Sequence, residues 1–384
     1  MLSIPQSVCP ITSGGARGAL VSFPRSDFSQ SSYRRRRSRR WLLAVIAVFV
    51  GVAAAWLAVS SRQSSPVRAV MSERPRLSSL TVRWNGPITP AASGIIVAKA
   101  DGLFAREGLT VALEPGIRDD DVVQRVADNE DVIGQVSASA FLRSRANGSP
   151  IIAFASSYMV SSVELYALAN TKLNSPDDLQ GKSIGYDPGS DREIAVEALL
   201  RNKQVARSQI RISDHATVSD LLLGKIDVLA GRAEMEGDEL RARKIPFKIL
   251  SPDAFGIHSV GSVYIASERS IAHAPDMPQR FLAAVIAGWD ALYEDRDRAV
   301  AIIQQQIDPN VAKTGVVNFL DRQRAYIRPF GARTGELDLN RWRELQDRML
   351  AQRQMAKPVD LTTSIIFSLV PELYRTRVKA LTSE

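Results

Sequence analysis

A single cysteine, Cys9, occurs in 384 residues, so no disulfide can form within one chain, and stability has to come from a large packed core. The three histidines, His215, His258 and His273, have no histidine partner at i+4 and no CxxC companion, which leaves no metal-ligand spacing to point to zinc. No P-loop and no GxGxxG is present, and Gly256-Ile257-His258-Ser259-Val260-Gly261 misses the GxSxG nucleophile elbow by one residue. A catalytic reading therefore has no motif to rest on, and neither a metal nor a cofactor is expected. A basic binding face is lacking as well. The net charge is +8, but residues 1–40 carry eight Arg against one Asp and so supply +7 of it. The remainder is nearly neutral, which argues against nucleic acid as a partner.

What the chain does have begins with residues 41–61, WLLAVIAVFVGVAAAWLAVSS, a run without a charged residue that is long enough to span a bilayer as a helix. Six arginines between Arg34 and Arg40 precede it and only Arg62 follows closely. That bias keeps the N-terminus cytoplasmic and sends the rest across. Ala58 and Ser60 also suit signal-peptidase cleavage, and residues 38–43 approximate a twin-arginine export signal, so a retained anchor and a cleaved leader are both open. The expected organisation is a basic, disordered segment over 1–40, a transmembrane or signal helix over 41–61 and a linker over 62–79. A two-lobed exported domain follows, with 80–165 and 262–384 forming one lobe and 166–261 the other.

The most informative stretch is 90–116, PAASGIIVAKADGLFAREGLTVALEPG. Ala92, Ile95, Ile96 and Phe104 fall near helical spacing, Gly108 suits a left-handed helix stop, and Leu109, Val111 and Leu113 alternate as a strand. Residues 80–84 read as a preceding strand. Strand, loop, helix and strand in this order open an α/β sheet whose ligands gather beyond the strand ends, here at the loop 85–93. Similar βα units recur: helix 119–127 with strand 131–136, and helix 217–223 with a turn and strand over 224–230. Further strands are expected at 150–156, 164–169, 183–186 and 262–267, and one long helix at 278–306. The chain then enters a second lobe near Tyr166 and leaves it near Ser262, and two crossing strands make a hinge.

Candidate ligand contacts lie on the loops at these strand ends. Gly189, Ser190 and Asp191 open a helix, with Ser190 and Glu193 spaced as a capping box. A satisfied helix start is the plainer reading; the functional one adds first-turn N–H groups facing a cleft. Asp191 and Glu193 count against phosphate there. Ser137 and Ser139 follow a strand and either cap the next helix or let a ligand approach closely. Arg232 and Glu234 either receive a zwitterion or pair with each other at the surface. Trp84, beside Asn85, and Tyr158 are core aromatics or stacking platforms for a flat ligand.

In this order and spacing, GLFAREGLTVALEPG, DVIGQVSASAFL, LNSPDDLQGKSIGYDPGSD, LLLGKIDVLAG and VYIASERSIAHAPDMPQRFLAAVIAGWDAL resemble the solute-binding proteins of ABC importers of the nitrate, sulfonate, taurine and thiamine-pyrimidine group, over residues 80 to about 370. The resemblance implies a type II periplasmic-binding fold, two βα lobes joined by a two-strand hinge, acting as a monomer. It would close on a small-molecule ligand and deliver it to ABC permease and ATPase subunits. The ligand loops would fall on Trp84 and Asn85, Ser137 and Ser139, Gly189 to Asp191, and Arg232 to Glu234. The long arginine-rich head and the apolar run at 41–61 depart from the usual released or lipid-anchored receptor, and place the main domain in the periplasm beside a bacterial inner membrane. The acidic GRAEMEGDEL loop disfavours nitrate and simple sulfonates and favours an amine-bearing or neutral heteroaromatic ligand. An enzyme of the pyrimidine-synthase or menaquinone-pathway type on the same fold is the first alternative. A membrane-tethered ligand sensor is the second.

Overall fold

The computed structural model describes residues 77–382. Residues 41–61 and the basic head lie outside the described residues. Among those described, no helix is long and apolar enough to cross a membrane.

Two five-stranded mixed sheets organise the domain. In chain order the strands are β1 (Ser78–Trp84), β2 (Leu109–Pro115), β3 (Val132–Ser137), β4 (Ile151–Tyr158), β5 (Val163–Leu168), β6 (Ser183–Gly185), β7 (Arg211–Ser213), β8 (Val228–Arg232), β9 (Phe247–Leu250) and β10 (Ser262–Ser267). The first sheet runs β2-β1-β3-β10-β4 and the second β7-β6-β8-β5-β9. In each, three parallel strands are followed by an antiparallel one, β10 or β5, that has just arrived from the other sheet. The chain thus leaves the first sheet between Tyr158 and Val163 and returns between Leu250 and Ser262. The two crossovers touch: Ser161 N donates to Ser259 O at 2.9 Å. Gly261 permits that approach, since a Cβ there would sit 2.6 Å from the Tyr158 carbonyl oxygen and 2.7 Å from that of Val160.

The helices are α1 (Ser93–Ala100), α2 (Leu103–Arg106), α3 (Asp119–Asp128), α4 (Ala138–Ala146), α5 (Asp191–Asn202), α6 (Val218–Leu222), α7 (Glu236–Ala242), α8 (Glu268–His273), α9 (Met277–Glu294), α10 (Arg296–Ile307), α11 (Lys313–Ile327), α12 (Leu339–Ala351), α13 (Leu361–Ser364) and α14 (Leu369–Thr382). The helix expected between Ala92 and Gly108 is two short ones, α1 and α2, separated by Gly102 at φ of 65°, and Gly108, at φ of 68°, ends the second. The helix expected over 278–306 is two helices. Asp295 leaves helical geometry and its carboxylate accepts the Arg298 N–H at 3.1 Å, capping α10. The apolar spacing runs through the break because both helices face one core, where Phe281, Val285 and Trp289 of α9 meet Val300 and Ile303 of α10.

Contacts from the C-terminal helices also tie the lobes together beside the hinge. Gln352 Nε2 donates to Ile194 O and Gln354 Nε2 to the Glu193 carboxylate, both on α5. Ile194 itself is buried in the cluster holding Phe141 and Trp342. The start of α5 is therefore held from both sheets.

Candidate functional site

Because β1, β3, β6 and β8 run parallel within their sheets, the loops leaving them converge, as expected at the carboxyl ends of such strands. Between them lies a cleft of about 530 Å³. Asn85, Ser137, Ser139, Gly189, Ser190, Asp191 and Arg232 line it directly. An adjoining nook of about 40 Å³ is lined by Trp84, Tyr158 and Glu234, with Asn85 and Arg232 shared between the two spaces. All ten candidate residues thus reach one or other connected space.

Their roles differ from the expectations. Trp84 and Tyr158 are only 4% and 3% exposed, and the Tyr158 hydroxyl donates to Gln323 Oε1 at 3.1 Å. Little of either ring is reachable, so both act as core residues whose margins bound the nook. Ser190 caps α5, its hydroxyl accepting the Glu193 N–H at 3.4 Å, while Glu193 turns back to the Gly189 N–H at 2.7 Å. Part of the first turn is therefore satisfied within the chain. Arg232 does not form the expected surface pair with Glu234. It donates through Nη2 to Asp191 Oδ2 at 2.9 Å, inside the cleft, because β8 and the start of α5 meet there. One Glu234 carboxylate oxygen, Oε2, is buried without a hydrogen-bond partner.

The centre of the site is a residue that the sequence does not single out. Asp119, at the first position of α3, accepts from Ser137 N at 3.0 Å, from Ser137 Oγ at 2.5 Å and from Asn85 Nδ2. It thereby locks together the loops after β1 and β3. Three consecutive aspartates at a helix start read as charges complementing the helix dipole, and only the tertiary contact with Ser137 distinguishes the first of them. Arg143 of α4, Asp187 and His215 also line the cleft. Arg143 reaches from the first lobe to the Gly189 carbonyl of the second, and His215 Nδ1 lies 2.9 Å from Asp187 Oδ1. Arg192 spans Asp187 and Glu236 at 3.0 and 2.7 Å, bracing the second-lobe wall.

The electrostatics centre on Arg232, which lies in the fields of Asp191, Glu234 and Asp119 and is held firmly protonated by them, Asp191 most strongly. Burial works to raise the Asp191 carboxyl, but Arg232 and Arg192 outweigh it and hold that group below its usual value. For Asp119 burial prevails over Arg232 and the Ser137 hydrogen bonds, and its carboxyl is raised. Glu234 is raised for the same first reason. A carboxyl raised in the folded state stabilises most at low pH and loses that contribution as pH climbs through its folded value. Asp119→Asn is therefore expected to melt no lower than the parent at neutral pH, while weakening at least about tenfold any ligand that donates to the carboxylate. Thermal melting and calorimetry on the same samples check this; a lower midpoint with unchanged affinity would make Asp119 purely structural.

The family model described as NMT1/THI5 like matches residues 89–299. The riboflavin-binding protein RibY of Chloroflexus aurantiacus is 24% identical over 290 residues, covering 72% of this chain and 81% of RibY. Among solved structures, the periplasmic aliphatic sulphonate binding protein SsuA of Escherichia coli superposes with a TM-score of 0.60 at 13% identity, over 75% of this chain and 92% of SsuA. The desulfurization enzyme DSZB shares the fold as well, with a TM-score of 0.55 at 13% identity over 78% of this chain and 99% of that one. With more than half its length inside the matched family and two sheets exchanging strands across a double crossover, the chain belongs to the NMT1/THI5-like family and has the periplasmic-binding-protein fold.

Proposed function

We propose that the protein is the extracytoplasmic solute-binding component of an ABC import system, capturing a small nitrogen- or sulfur-containing metabolite, aminosulfonate-like or pyrimidine-like, in the cleft between its lobes. The observation that carries the ligand chemistry is the convergence of three carboxylates, Asp191, Glu234 and Asp119, on the single guanidinium of Arg232. At the Arg232 end of the cleft carboxyls outnumber guanidiniums, although over the whole lining Arg118, Arg143, Arg192 and Arg232 match four aspartates, so at that end a bare oxyanion is opposed and a ligand bringing an ammonium or a ring N–H is complementary. A zwitterion can also use Arg143, whose helix lines the same space. Riboflavin, named for RibY, carries a ring N–H and agrees with this chemistry, whereas the aliphatic sulphonate named for SsuA brings no such donor.

Binding would work through the hinge, closure being selected by contacts that a ligand makes to both walls at once. The apolar run at 41–61 and the arginines before it support placing the domain in the periplasm, tethered to the inner membrane or released by cleavage, where it would meet permease and ATPase subunits. Calorimetric titration with taurine, 4-amino-2-methylpyrimidine, riboflavin, nitrate and sulfate tests the reading. Heat from one or more of the first three and none from the two inorganic anions is the expected result. Tight nitrate or sulfate binding, or no response to any small solute, would refute it. Recovery of the ligand unchanged after prolonged incubation separates a receptor from an enzyme on the same fold.

A further inference from the structure

The apolar surface of the cleft is confined to its mouth. Pro87 and Ile117 from the first lobe, with Pro188 and Met235 from the second, line the cleft and are all exposed, Ile117 at 80% and Met235 at 45%. The floor is polar: Ser137 and Ser139 are buried, and the Asp191 and Arg232 pair lies beside them. Each lobe thus contributes one proline and one large flexible or branched aliphatic side chain to a rim around a hydrogen-bonding base.

The rim is held in place from behind. Gly116 N donates to Trp84 O at 2.6 Å and Ile117 N to Asp121 Oδ2 at 3.2 Å, which fixes the backbone while the isoleucine side chain faces solvent. Across the cleft, Met235 N donates to Arg232 O at 3.1 Å and Met235 O accepts from Glu239 N at 2.9 Å. Two exposed apolar side chains on pinned backbones, facing one cavity from opposite walls, are placed to cover something apolar. The inner nook, at about 40 Å³, has room for little more than one water, whereas a cleft of about 530 Å³ accommodates ring systems.

We infer that the ligand is amphipathic, with a flat or apolar ring clasped at the mouth between Ile117 and Met235 and a polar, N–H-bearing end directed to the floor. This rests on the reading of the cleft as a solute site, and it narrows that reading: ring-bearing heterocycles become the preferred class over aliphatic aminosulfonates. Ile117 and Met235 are then specificity-determining residues, contributing burial that only a ring can use.

The test compares the full chain with its Ile117→Ser/Met235→Ser double variant by calorimetry, using riboflavin and 4-amino-2-methylpyrimidine as ring-bearing probes and taurine as the ring-free one. In the parent a ring probe binds more tightly than taurine. In the variant the ring probe weakens about tenfold while taurine affinity and the thermal midpoint stay unchanged, since both side chains are exposed. Ile117→Leu retains the ring affinity. Equal ring affinity in parent and variant overturns the clasp, and so does a variant that binds rings normally but no longer supports import, which would assign the two lips to the permease. Tightest binding of taurine by the parent also overturns it while leaving the solute-site reading intact. No binding of any probe by the parent removes the solute-site reading itself, and the clasp with it.

Discussion

Replacing Arg232 by alanine is expected to destabilise the protein by about 2–4 kcal/mol at neutral pH, somewhat less than the about 3–5 kcal/mol for breaking a fully buried ion pair, because both partners keep some solvent contact. The guanidinium and the Asp191 carboxylate it bonds have side-chain exposures of 17% and 20%. Without Arg232, Asp191 is left with Arg192 as its neighbouring cation, and Glu234 and Asp119 lose the cation that lowers them. The pH dependence gives the prediction its signature. In the parent, Asp191 has a depressed folded pKa, so its stabilisation is present above the unfolded value near 3.9 and is lost as pH falls through the folded one. In the variant the three acids are raised, and protonation relieves them. The stability difference should therefore be large at pH 7 and shrink towards pH 4. Denaturant unfolding at both values measures it; a difference independent of pH would mean that lost packing, not charge, dominates. Asp191→Asn in the same background should recover part of the loss.

Gly288→Ala should lower stability about as much for a different reason. Gly288 of α9 is buried against α1, and an added Cβ would lie 2.2 Å from the Gly94 carbonyl oxygen and 2.8 Å from Ala98 Cβ. The nearest atom is backbone, so relief requires the two helices to separate, opening the core that holds Ile95, Trp289 and Phe281. Alanine is favoured over glycine in a helix by about 1 kcal/mol, and overpacking at its upper end costs about 3 kcal/mol or more. A net loss of about 2 kcal/mol, or about 4–8 °C in thermal midpoint, is expected. Gly315→Ala is the control. Gly315 is an exposed helical glycine on α11 with nothing within 4 Å of its added Cβ, and it should gain a few tenths of a kcal/mol to about 1. Equal midpoints for the two variants would contradict the packing argument.

These two variants mark how much of the molecule was legible beforehand. Strand β10 lies over the residues that its apolar run, bounded by Gly261 and Glu268, predicts, and the double crossover follows from the order of βα units. The break at Asp295 was hidden because apolar spacing continues through it; a helix-capping aspartate was the one local sign. At the site, glycines and hydroxyls beyond strand ends were readable, since their chemistry is local. Asp119 was not, because its meaning arises only when Ser137 and Asn85, distant in sequence, close around it. The partner of Arg232 is open in the sequence for the same reason: Glu234 is two residues away along the chain, but the carboxylate it bonds is that of Asp191.

The central claim, that the cleft captures a small molecule through donors it presents to Asp119 and its acidic neighbours, is tested most directly by non-denaturing mass spectrometry of the full chain beside its Asp119→Asn variant. The parent should retain one small molecule per chain, carrying an ammonium or ring N–H group, and the variant should be found without it at equal stability. A retained inorganic anion, or the same ligand held equally by both proteins, would contradict the account.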